Sequence, residues 1–242
     1  MNISNNKILI TGGATGIGFG LAERFVKEKN TVIICGRRES ALNDAKGNLP
    51  ALITKSCDLS DAGGREELYN WVKKEHSDLN VLINNAGIQQ WMNISDDNFF
   101  QRAKEEITIN IEAPVHLASL FQNLPSLEVI INVSSGLSFS PLSKVPVYCA
   151  TKAFLHSFTL SLQHQLKPRN IEVIELIPPA LNTDLGGLGI HDAYPPVSGF
   201  IDAVFDQLKQ GKTIIAYGTS ERMLNAGPQQ LQQAFSRMNP VE

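Results

Sequence analysis

The chain has 242 residues, 43% hydrophobic and 19% charged, with a net charge of −3. That is enough apolar material for one large core without disulfides or metals, and the slightly acidic balance excludes an overall basic surface for nucleic acid or anionic lipid. No apolar run reaches the roughly 18 residues of a membrane span, Met1–Lys7 lacks a signal-peptide apolar region, and Cys35, Cys57 and Cys149 stand far apart, as expected of reduced core residues in a cytoplasmic protein.

Residues 7–12 form a short apolar run ending at Gly12, which reads as a strand buried on both faces of a parallel sheet. Gly12, Gly16 and Gly18 then space a turn that also holds Thr15 and Ile17 and leads into the helical pattern at 21–26. A strand, a glycine-rich turn and a helix N-terminus in that order make an anion site, because small residues let backbone N–H groups approach a pyrophosphate. The second strand, 31–36, runs into Arg37-Arg38. In a dinucleotide fold this strand end faces the adenosine ribose, and arginine there accommodates the 2′-phosphate of NADP(H) in preference to NAD(H).

Strand three is expected over 51–57, followed by Asp58-Leu59 and by Ser60 as a helix cap; strand four, 81–83, runs into Asn84-Asn85-Ala86-Gly87. Ser95 is the expected cap of the next helix, and one long helix is expected from Phe99 to Gln122 with Asn110 midway. An asparagine inside a helix is unfavourable and calls for a reason. Strand five, 127–133, ends at Ser134-Ser135. The next helix carries Tyr148 and Lys152, runs to Leu166 and is stopped by Pro168. Tyr148 and Lys152 stand at i and i+4 on one helix face, so the lysine charge can sit beside the phenol and lower its ordinary pKa of about 10. Strand six, 171–177, closes at Pro178-Pro179. A glycine-rich loop without periodicity follows at 180–196, then a helix from 197 to 210, a strand at 213–217 and a helical tail. The strand–helix alternation predicts a single doubly wound α/β domain over 1–242, about seven parallel strands with helices on both faces and ligands beyond the strands' carboxyl ends.

Thr11-Gly12-x-x-x-Gly16-x-Gly18, Asp58, Asn84-Asn85-Ala86-Gly87, Asn110, Ser135 and Tyr148-x-x-x-Lys152 together resemble the compact branch of the short-chain dehydrogenase/reductase family over residues 7–184. The resemblance implies that Tyr148 is the general acid/base and that Ser135, thirteen positions upstream, holds the substrate oxygen. It implies that Lys152 lowers the tyrosine pKa and binds the nicotinamide ribose, and that Asn110 holds a relay water. Asp58 and Leu59 would lie at the adenine, and Asn85, Ala86 and Gly87 along the adenosine side. Pro178 and Thr183 would lie near the nicotinamide, Thr183 against its carboxamide. Pro179 replaces the family's usual glycine, so a different path of the substrate loop is expected.

Gly36-Arg37-Arg38, Pro178-Pro179 and Thr183-Asp184-Leu185 also bear a weaker resemblance to bacterial oxidoreductases of D-alanyl-teichoic-acid operons, a label of genomic neighbourhood more than chemistry. The expected activity is NADP-dependent hydride transfer between nicotinamide and a small carbonyl or alcohol substrate. A non-catalytic NADP-binding regulator and an imine or enone reductase are the alternatives. Gln89, Gln90, Trp91, Phe139, His191 and the 185–196 loop are candidate substrate-pocket positions, with Gln90 as the polar handle. His116, His156 and His164 read as structural, with no metal site, nucleic acid or membrane partner. The helices bearing Asn110 and Tyr148 are the expected face of a homodimer, a tetramer being the less favoured assembly.

Overall fold

The computed structural model describes residues 1–240; the last two positions of the expected domain, Val241 and Glu242, lie outside them. Seven strands form one parallel sheet in the order β3-β2-β1-β4-β5-β6-β7. They are β1 (Lys7–Thr11), β2 (Thr31–Gly36), β3 (Ile53–Ser56), β4 (Val81–Asn84), β5 (Val129–Val133), β6 (Glu172–Ile177) and β7 (Ile214–Ala216). The order reverses between β1 and β4, and that switch point opens a crevice at the carboxyl ends of both strands.

The strands are continuous apolar runs because helices cover both faces. On one face α1 (Gly16–Lys27), α2 (Glu39–Asn48) and α7 (Val197–Lys209) enclose Ile8, Ile10, Ile34, Ile83 and Phe205. On the other, α3 (Ala62–Glu75), α5 (Ala113–Phe121) and α6 (Pro146–Leu166) enclose Leu9, Ile33, Leu82, Phe121 and Ile130. Each isoleucine or leucine so buried contributes about 2 kcal/mol. The tail is helical, as α8 (Thr219–Leu224) and α9 (Pro228–Met238).

The expected strand bounds hold to within two residues, but three local expectations are corrected. The cap of α3 is Asp61, whose carboxylate accepts the Gly64 amide at 2.8 Å; Ser60 instead donates to Asp58. Ser95 lies in a turn closed by Asn93, and α4 (Phe99–Ile107) starts after Asn98. The single helix expected over 99–122 is interrupted by a π-helical turn, Thr108–Glu112, between α4 and α5. Such a turn inserts one residue into an otherwise α-helical run.

Candidate active site

Two features build the glycine turn. Gly12 and Gly16 have φ of +63° and +54°, the left-handed region that glycine adopts without a Cβ penalty. Gly18 opens α1 against the turn itself: a Cβ there would lie 2.3 Å from the Gly12 carbonyl oxygen. Asn85 Nδ2 donates to the Thr11 and Gly12 carbonyls at 2.9 and 3.1 Å, and Thr11 Oγ1 accepts the Asn85 and Ala86 amides, each at 3.0 Å. The Asn-Asn-Ala-Gly segment therefore braces the turn. Thr183 lies over Gly16, its Cγ2 3.3 Å from where a Cβ would stand. The Thr15 side chain caps none of the first-turn amides of α1.

At the carboxyl end of β2 Gly36 has open space around it, and Arg37 and Arg38 are exposed and make no ion pair among the described residues. Asp58 accepts the Ser60 amide and hydroxyl, which hold its carboxyl below the usual range, with a further contribution from the Arg37 charge.

The proposed chemical centre is buried. Pro146 at the first turn of α6 starts the helix that carries Tyr148 and Lys152. Tyr148 packs with Val145 and Cys149 against Leu137, Leu142 and Leu185. Ser135 Oγ accepts the Leu137 amide at 3.1 Å, which leaves its own proton uncommitted, and its influence on Tyr148 favours the phenolate. Ser134, the adjacent competitor, points the other way and donates to the fully buried Glu175 of β6, whose carboxylate also meets His156 Nδ1 at 2.9 Å. Lys152 Nζ donates to the Val133 carbonyl at 2.8 Å and stands 5.7 Å from the Tyr148 ring centre.

Burial penalises the phenolate and pushes Tyr148 up, the Ser135 bond opposing it only in part; burial also pushes Lys152 down to about 8. Tyr148 is thus held as a neutral phenol, the form that donates a proton.

Asn110 sits in the π turn, almost fully buried. Its Nδ2 donates to Ile88 O at 2.8 Å and to Thr151 Oγ1 at 3.1 Å, and its Oδ1 accepts Ile88 N at 2.9 Å. These bonds are the reason for a polar residue inside the helix. Among the pocket candidates, Gln90 is corrected: its carboxamide is spent on Arg102 and Glu105 of α4. Gln89 is buried beside Gly186, and its Oε1 has no partner among the described residues. Trp91 is exposed, Phe139 packs edge-on against His156, and His191 Nδ1 faces Thr183 O at 3.3 Å. His116 bonds Arg65 and His164 lies in the last turn of α6, both away from this cluster. Among the described residues no three His, Cys, Asp or Glu side chains form a metal cluster, and no helix is long and apolar enough to cross a membrane.

The sequence profile of the short chain dehydrogenases matches residues 6–188. The chain belongs to that family. A protein of Bacillus subtilis (strain 168) described as the uncharacterized oxidoreductase DltE is 43% identical over the whole of both chains. A short chain dehydrogenase from Burkholderia cenocepacia, solved with NADP, superposes with a TM-score of 0.82 at 22% identity, covering 97% of this chain and 99% of its own. A family member from Burkholderia phymatum, solved with NAD, gives 0.84 at 15% identity, covering 100% and 99%. At those identities the structures establish the fold, while the profile and the Bacillus relative establish this chain as a short chain dehydrogenase-type oxidoreductase.

Proposed function

We propose that this chain is an NADP(H)-dependent oxidoreductase acting on a small carbonyl or alcohol, with Tyr148 as general acid/base. The observation that carries the reading is the clustering of Ser135, Tyr148 and Lys152, all buried at the carboxyl end of the sheet, with Lys152 Nζ 5.7 Å from the Tyr148 ring centre. The crevice fits a dinucleotide. Gly12 and Gly18 let the turn close on Ala86, Asn85 and the Gly12 carbonyl where a side chain would collide, Gly16 lies under Thr183, and the α1 N-terminus beside them is uncapped by Thr15. When bound, the cofactor supplies or accepts the hydride.

The chain's own residues do the rest. Ser135, its oxygen fixed by Leu137 N–H, donates to the substrate oxygen in place of Tyr148 and sets its position. Tyr148, kept protonated by burial, gives its proton to that oxygen as negative charge develops there. In the oxidative direction the same oxygen receives the proton back. Lys152 binds the ribose and offers a positive charge when the phenolate forms. Asn110 fixes Ile88 and Thr151 around them. Leu185 and Leu142 exclude water, and Gln89 is the polar group on the substrate side.

NADP(H) is the proposed partner because Arg37 and Arg38 stand exposed where the 2′-phosphate would lie, and Gly36 replaces the acidic residue that would select the 2′-hydroxyl. Arg37→Ala is expected to weaken NADPH binding by roughly 10- to 100-fold, the loss of charge-assisted bonds of about 1.5–3 kcal/mol, and NADH binding less than threefold. Fluorescence titration of both cofactors measures this; equal losses would contradict the assignment.

A homodimer through α4 and α6 is proposed from their exposed apolar residues: Phe100 is 74% exposed and Phe154 41%, with Ile107 and Leu160 at similar values to Phe154. Sedimentation of the wild type is expected to give twice the 26.5 kDa chain mass, and Phe154→Glu a monomer; a monomeric wild type would contradict this face. Three unpaired, buried cysteines support the proposed cytoplasmic location.

A further inference from the structure

Glu106 is a buried carboxyl that the proposed chemistry leaves unused. It has 0% exposure on α4, one turn before Asn110 and one turn after Arg102. These three side chains, each four residues apart, grip one segment: Asn110 bonds both backbone groups of Ile88, Glu106 Oε1 accepts the Gln90 amide, and Arg102 donates to the Trp91 carbonyl. The segment leaves β4 beside the centre. A Cβ on Gly87 would lie 3.3 Å from Asn110 Oδ1 and 3.5 Å from Lys152 Nζ, while Gln89 meets Gly186 of the 180–196 loop. Residues 88–91 therefore form the wall of the substrate side, and α4 holds that wall by three rungs.

The middle rung is the only ionisable one that changes charge near neutrality. Its second oxygen, Oε2, has no partner among the described residues. Burial with a single amide partner pushes the carboxyl up to about 7, the Gln90 bond and the Arg102 charge opposing it. The charged and titratable groups around it are Arg102 and Glu105 on α4, Asp96 through Arg102, Lys144 beside Trp91, and Tyr148, Cys149 and Lys152 on α6. Its charge reaches Tyr148 and disfavours the phenolate.

We infer that Glu106 is a positioning residue whose carboxylate, through Gln90 N–H, fixes the substrate wall, so that substrate affinity follows its charge. The inference rests on the oxidoreductase reading. A charged acceptor holds an amide more strongly than a neutral one, by roughly 1 kcal/mol or about fivefold. The carboxylate prevails above pH 7 and the neutral acid below it, so the wall loosens as pH falls.

The test is the pH profile of KM and kcat for an accepted ketone or aldehyde, with NADPH saturating. Wild-type KM is expected to rise about fivefold from pH 8 to pH 6 with an inflection near 7, while kcat changes less than twofold through this group. Glu106→Gln keeps a neutral acceptor for Gln90 N–H, so its KM should be flat and equal to the wild-type low-pH value. An E106Q profile that keeps the wild-type KM and inflection overturns the inference. Lys152, pushed down to about 8, gives an inflection in kcat, not in KM, that both proteins share.

If E106Q does not fold, hydrogen exchange of the wild-type 88–92 peptide decides, corrected for intrinsic rate. Protection should fall between pH 8 and pH 6, and unchanged protection overturns the inference. Failure of the underlying oxidoreductase reading looks different: no carbonyl consumes NADPH at any pH in the wild type.

Discussion

Tyr148→Phe is expected to lower kcat for carbonyl reduction by about a thousandfold, within the 10²–10⁴ range of a lost general acid, while NADPH binds within threefold of wild type. The phenyl ring keeps the packing against Val145, Cys149 and Leu185, so the substitution removes the hydroxyl and little else. What goes with it, under the proposed mechanism, is the proton for the substrate oxygen. Burial keeps the phenol neutral, so under the proposed mechanism the tyrosine has a proton to give where charge develops. Stopped-flow turnover beside a cofactor titration separates the two quantities. A variant with unaltered turnover would mean that another group protonates the product.

The second large effect is on the cofactor cradle. Gly18→Ala is expected to weaken NADPH binding at least about a hundredfold and to destabilise the fold by about 1–3 kcal/mol, the cost of overpacking. The added carbon would stand 2.3 Å from Gly12 O and 2.5 Å from Asn85 Nδ2. The first contact is backbone, so α1 must move off the turn and take its first-turn amides with it. The bond from Asn85 to Gly12 O is strained at the same time. At about 2–4 °C per kcal/mol for a chain of this size, a thermal melt resolves the loss. Gly47→Ala in α2, where a Cβ meets nothing within 4 Å, is the control and should melt at or above the wild-type temperature. Similar behaviour of the two variants would contradict the role given to close approach at Gly18.

Much of the architecture is legible in the sequence because a parallel sheet covered on both faces demands strands that are apolar throughout. The runs ending at Gly12, Cys57 and Ile177 could be placed within two residues for that reason. Helix ends were less legible. Ser60 and Asp61 have equal claims to cap α3 by composition, and only the backbone path selects Asp61. The π turn at 108–112 joins α4 and α5 with no proline or glycine inside it to mark the break.

At the site, the thirteen-residue separation in the family resemblance favours Ser135 over Ser134, and the Ser134 hydroxyl is occupied by buried Glu175. Asn110 was legible as an anomaly, though its side chain turned out to clamp Ile88 and Thr151. Gln90 and Glu106 were not legible. A glutamine in a loop looks free until its carboxamide is seen bonded to Arg102. A glutamate next to Glu105 on an amphipathic helix looks solvated until α6 is packed over it. Side-chain burial of that kind depends on which helices meet, which no local pattern encodes.

The central claim is hydride transfer to a carbonyl at the Ser135–Tyr148 pair. Its most direct test is to incubate the wild-type protein with NADPH deuterated at nicotinamide C4, in separate samples for each face, and a panel of ketones and aldehydes, and to read the products by mass spectrometry. The account predicts an alcohol with one deuterium on the carbinol carbon from one of the two labelled faces, and none in Tyr148→Phe over the same period. Tight NADPH binding with no deuterated alcohol from any member of the panel would contradict it.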